Sequence, residues 1–161
     1  MKKVLSYAWL LIALPFAITS CSNDNDLPQV DFQVSFSGAT IDADNGMIYV
    51  VTGDTLKIDA INVKNTESDK AVALTSTEYF WDYNFIGNSP FPPYGFKIYV
   101  SPQTSVGAHN LTIRTGILAE GKEPAVGVLD YTIEVVSDST QLPVTGGQNV
   151  ISATITPEAG S

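Results

Sequence analysis

Cysteine, histidine and positive charge are all scarce in this 161-residue sequence, which has Cys21, His109 and eight basic residues against 17 acidic ones. A single cysteine excludes an intrachain disulfide framework, and one cysteine with one histidine excludes the clustered spacing of structural zinc sites. A net charge of −9 with no basic stripe excludes a nucleic-acid surface, because nothing is in place to displace counterions from phosphates. No serine stands in a nucleophile-elbow context, and His109 has no second histidine to work with. The stretch Asp42, Asp44, Asn45 offers hard oxygen ligands but lacks the glycine and glutamate positions of a calcium loop, so it reads as a turn. No catalytic residue, metal or cofactor is therefore expected, and the chain reads as a non-enzyme. There is also no sustained run of helical period and no internal repeat.

One apolar run is present, and it is at the start. Lys2 and Lys3 precede Val4 to Ile18, a stretch too short to span a bilayer comfortably, which is the pattern of an export signal. Ile18-Thr19-Ser20-Cys21 resembles the lipobox of bacterial lipoproteins. The resemblance implies cleavage after residue 20, lipidation of Cys21 and attachment to the membrane through acyl chains. The run Ser22-Asn23-Asp24-Asn25-Asp26 is similar to the acidic export signal of some Gram-negative surface lipoproteins. It favours an outer-membrane protein facing the cell exterior over one facing the periplasm. Removing 20 leader residues from 161 leaves 141, enough for one domain with a core, and losing two lysines takes the charge from −9 to −11.

Beyond a polar tether at residues 21–29, apolar residues recur with period two. Val30, Phe32, Val34 and Phe36 alternate with polar residues, as a half-buried strand requires. Asp44-Asn45-Gly46 and Gly53-Asp54 supply turns around Met47 to Val51, and Leu56, Ile58 and Ala60 carry the next strand. Extended runs follow at Thr77 to Phe85, Phe96 to Val100, Leu111 to Thr115 and Val128 to Val136, separated by turn-rich segments. About seven short strands around Trp81, expected to fill the core, predict an all-β, immunoglobulin-like sandwich over residues 30–136. Residues 137–161 read as a flexible polar segment with room for one short edge strand at Val150 to Thr156.

Tyr79-Phe80-Trp81-Asp82, Ile86-Gly87-Asn88-Ser89, Pro93-Tyr94 and Gly107-Ala108-His109-Asn110-Leu111-Thr112-Ile113 together resemble the Ig-like, PKD-like domains of bacterial surface proteins and of chains carrying glycoside hydrolases. The resemblance implies a sandwich, with the histidine at a sheet corner, and implies no activity. It departs from the family where the glycine usual after aspartate is replaced by Tyr83, which leaves the hairpin turn open.

The aromatic residues Tyr83, Phe85, Phe91, Tyr94 and Tyr99, interrupted by prolines, are the candidate ligand-binding set, since exposed rings stack on sugar faces. Packing of the same rings in the core is the alternative. Candidate partners are a glycan or another surface protein. Asp54-Thr55-Leu56 and Asp138-Ser139-Thr140 resemble O-glycosylation sites of Gram-negative anaerobes, at Thr55 and Ser139. Leu142-Pro143-Val144-Thr145-Gly146 spells a sortase-type pentapeptide but is followed by neither an apolar span nor a basic tail, so it is set aside.

Overall fold

The computed structural model describes residues 26–144 and 147–160. The export signal, Cys21 and most of the expected tether lie outside the described residues, as do Thr145 and Gly146. The strands in chain order are β1 (Val30–Ser37), β2 (Thr40–Ile41), β3 (Ile48–Val51), β4 (Thr55–Asn65), β5 (Val72–Trp81), β6 (Asn84–Ser89), β7 (Phe96–Tyr99), β8 (Gly107–Ala119), β9 (Ala125–Val136), β10 (Val150–Ile155) and β11 (Glu158–Ala159). A short 3-10 turn, Ser139–Gln141, follows β9.

They form two facing sheets, one ordered β10-β1-β4-β7 and the other β2-β3-β9-β8-β5-β6, with β11 beside the start of β9. The first contains the β1-β4-β7 sheet and the second the β3-β9-β8-β5-β6 sheet of an immunoglobulin-like sandwich, including the parallel pairing of β3 with β9. Alternation works as expected in β1, where Val30, Phe32, Val34 and Phe36 are buried and face Leu111, Ile113, Ile133 and Tyr79 in one core.

Three sequence expectations are corrected. In β4 the inward residues are Leu56 and Ile58 and then Ile61, not Ala60, because a bulge opposite Ser35 and Phe36 shifts the parity. Trp81 is only half-buried, and the large aromatic at the centre is Tyr79, fully buried and stacked on Phe96 at 4.5 Å. The third correction concerns the flexible C-terminal segment and the tether, since the short strand expected at Val150 to Thr156 is present. That strand, Val150–Ile155, pairs with β1 over six register positions and covers its edge, and β11 adds a second strand. Ile151, Ala153 and Ile155 pack against the core.

Asp26–Gln29, expected to end a solvated tether, is docked instead. Leu27 packs against the core, Pro28 is buried, and Lys122 bridges Asp26 at 2.5 Å and Glu67 at 2.7 Å. The chain therefore enters the sandwich beside the β4–β5 and β8–β9 loops. The β5–β6 hairpin lies at the other end of β8, whose 13 residues span about 40 Å at ~3.3 Å per residue.

Candidate functional site

The distal end is organised by the two-residue turn Asp82-Tyr83. Both residues have positive φ, 47° and 66°, the backbone of a tight hairpin turn between Trp81 and its partner Asn84. Tyr83 thus adopts a left-handed conformation that favours glycine, at a cost of about 1 kcal/mol. Asp82 helps hold it there. Its Oδ1 accepts the Asn110 backbone N–H at 2.9 Å, its own N–H donates to the Asn110 carbonyl at 2.9 Å, and its Oδ2 lies 2.6 Å from His109 Nδ1.

The other ring nitrogen of His109 lies 2.8 Å from the Ser105 carbonyl, and the ring stacks on Trp81 at 5.2 Å. An imidazole facing a carboxylate and a carbonyl donates to both only when doubly protonated. Burial opposes that charge, but the hydrogen bonds to Asp82 and Ser105, with the charges of Asp82 and Glu134, outweigh it and raise the His109 pKa. For Asp82 desolvation is the largest single influence and opposes the charge, but the Asn110 N–H and the His109 contact together outweigh it and lower its pKa. Both nitrogens are committed to a structural latch at the sheet corner.

β6 and β7 each end a sheet, and the sandwich is open between them. The two edges approach closely at Gly87, where a Cβ would stand 2.7 Å from the Phe96 ring, so the Ile86-Gly87 pair lets Phe96 lie flat against Tyr79. Two clefts open along this edge. One, of about 390 Å³, is walled by Trp81, Ile86, Phe96 and Tyr99, with Asn84 and Thr104 as polar groups. The other, of about 630 Å³, runs past Phe91 and Pro93 to Lys57 and Asp59. Phe96 and Lys97 line both, so the clefts form one groove along β7.

The candidate aromatic set is divided by this geometry. Tyr99 and Phe91, 62% and 75% exposed, flank the groove. Tyr83 projects from the hairpin tip, and Phe85 packs on Phe80 at 5.7 Å, one residue before the bulged Ile86. Tyr94 is corrected from candidate ligand ring to core residue. It is buried, its hydroxyl donates to the Leu74 carbonyl at 2.8 Å, and its carbonyl accepts from the Tyr79 hydroxyl. Its φ of 61°, closing the turn that begins at Phe91, directs the ring inward. Burial raises the pKa of Tyr79.

Sequence reasoning missed Lys57 and Lys97. They stand directly opposite each other in the β4–β7 register, both exposed, and no local pattern pairs residues so far apart.

The remaining candidates fall elsewhere. Asp42 and Asn45 cap a turn, accepting from the backbone N–H groups of Asp44 and Met47. Thr55 is half-buried at the start of β4, opposite Tyr99. Ser139 is exposed at the first position of the 3-10 turn, whose N-cap is the Asp138 carboxylate.

No protein-family model matches the chain, and no curated protein matches it. A solved structure of the fibronectin(III)-like modules of Clostridium thermocellum CbhA is similar at 18% identity and a TM-score of 0.33, covering 56% of this chain and 90% of that one.

Proposed function

We propose that the chain is a non-enzymatic, lipid-anchored Ig-like module that contacts a glycan or another protein at the outer membrane, facing the cell exterior, and that the β6–β7 groove is its contact surface. The observation that carries this reading is the gathering of exposed rings at one open sandwich edge. Phe91 and Tyr99 border a groove whose floor is Phe96, a combination of flat apolar faces and flanking polar groups suited to surface recognition. The non-enzymatic part is supported by the histidine, both of whose nitrogens are already bonded within the fold.

Direction supports the same reading. Residues 22–25 separate Cys21 from Asp26, a reach of about 18 Å at ~3.5 Å per residue. With Asp26 clamped by Lys122, an anchor at Cys21 leaves from the end opposite the Asp82-Tyr83 hairpin, so Trp81 and Tyr99 face away from the membrane. The test is photocrosslinking on intact cells from a photoreactive residue at position 99, with one at exposed Val128 on β9 as reference. Adducts specific to position 99 are expected. Identical adduct patterns from the two positions would refute the groove as the contact surface. In the same cells, Cys21→Ala should abolish fatty-acid labelling and release the protein from membranes, and retained label with membrane fractionation would refute the anchor.

A further inference from the structure

We propose that the ligand of this groove is an acidic polysaccharide, held by Lys57 and Lys97 through its carboxylate or sulfate groups while Phe91 and Tyr99 stack on its sugar rings. This rests on the groove being the contact surface and names the ligand class.

The first argument is the lysine pair. Lys57 on β4 and Lys97 on β7 are cross-strand neighbours on the outer face of their sheet, and like charges directly opposite each other weaken a sheet. The chain has 17 acids with which to neutralise eight basic residues. Among the described residues Lys70 meets Glu120, Arg114 meets Glu78, and Lys122 meets Asp26 and Glu67, while Lys64 is in no ion pair but stands opposite an acid, Asp31, in the β1–β4 register. Lys57 and Lys97 are in no ion pair among the described residues. Asp59 is the acid that lines the groove, and its Oδ1 accepts from the Ser37 hydroxyl at 2.9 Å. A local positive site is thus maintained on a strongly acidic surface, at some cost to the sheet.

The second argument is what surrounds the pair. Lys97 and Tyr99 alternate onto the same outer face of β7, while Phe96 and Ile98 turn inward. Phe91 borders the other side of Lys97 in the wider cleft. Two cations between two exposed rings fit a chain that repeats both a flat apolar face and an anionic group along its length, as polyuronates and sulfated glycans do. Such a chain also lies along an open edge without entering a deep pocket.

The test uses the full-length chain in detergent against immobilised polygalacturonate, alginate and a sulfated galactan, with neutral dextran and xylan beside them. Wild type should bind the anionic glycans and lose affinity as salt rises past the Debye regime of about 0.15 M. The Lys57→Gln/Lys97→Gln double variant should bind at least about tenfold more weakly, since charge-assisted hydrogen bonds are lost. Lys64→Gln, the loss of one lysine charge at the opposite end of β4, should bind like wild type, whereas Lys57→Gln alone should already weaken binding. Melting temperatures of the double variant at or above wild type establish that it folds, as relief of like-charge repulsion requires.

Binding of the neutral glycans that survives in the double variant and is lost in Tyr99→Ala would overturn the acidic class and leave the groove standing. Absence of binding to every anionic glycan, with position-99 adducts still forming on cells, would do the same and direct attention to a protein partner.

Discussion

Replacing Asp82 by alanine removes two hydrogen-bond acceptors from the distal corner at once. The His109 N–H bond is charge-assisted and the Asn110 N–H bond is to a carboxylate, each worth about 1.5–3 kcal/mol when well shielded. The Asp82 side chain is 42% exposed, so water replaces part of both, and the lower ends apply. The His109 side chain is 9% exposed and cannot recover its partner from solvent as easily. A loss of about 2–3 kcal/mol follows, or roughly 6–9 °C in melting temperature at ~3 °C per kcal/mol for a domain of this size. The effect depends on pH with a defined sign. His109 is raised above its ordinary 6.5, so its contribution is fully present below pH 6.5 and lost as pH rises through the folded-state value. Asp82 is lowered below its ordinary 3.8, so its contribution is present above pH 3.8 and lost as pH falls through the folded-state value. Thermal melts of wild type and Asp82→Ala should therefore differ most between about pH 4 and 6.5, with a smaller difference left at alkaline pH by the Asn110 N–H bond. A difference below 2 °C at pH 6, or one that grows from pH 6 to 9, would refute the charged latch.

One further substitution and one truncation test the architecture. Trp81→Ala should cost about 2 kcal/mol, below the ~3–5 expected on emptying a core aromatic site, because the indole is half-buried. Calorimetry checks it, and a loss of 4 kcal/mol or more would return Trp81 to the core. Ending the chain after Val136 should cost at least about 2–3 kcal/mol, from the half-burial of Ile151 and Ile155 against β1, and should expose a long sheet edge that promotes self-association. A shortened chain that melts like the full one and remains monomeric by light scattering would show that β10 contributes nothing.

What the sequence made legible follows period two. β1 shows its buried face because no bulge interrupts Val30 to Val34, and Gly46 and Gly53 mark turns because both have positive φ in the fold. β4 defeats the same reading, since one extra residue near Asp59 moves the buried side from Ile58 to Ile61 and leaves Ala60 at the bulge. Tyr94 was indistinguishable from Phe91 by composition. The turn between them, not alternation, sends one ring inward and the other to solvent. The resemblance in Tyr79 to Asp82 and His109 to Asn110 located the corner, although the tyrosine at position 83 hid its turn. The lysine pair was illegible because strand β4 meets β7 only after two intervening strands have crossed to the other sheet.

The latch and the groove are physically continuous. Asp82 immediately follows Trp81, which lines the groove on one side and supports the His109 ring on the other, and Asn84 on the far side of the turn lines the same cleft. His109, held between Asp82 and Ser105, therefore fixes the hairpin that forms one groove wall. The opposite wall, β7, is fixed by its ladder to β4 and by Phe96 stacked on Tyr79. Recognition by two edges belonging to different sheets requires that their separation be set, because neither edge is hydrogen-bonded to the other. Among the described residues the direct tie at this point is packing, Phe96 over Gly87. Loss of the latch should then widen the range of positions open to Trp81 and Asn84 while leaving Lys57, Lys97 and Tyr99 in place. The entropic cost of closing the groove on a ligand would rise with no contact removed.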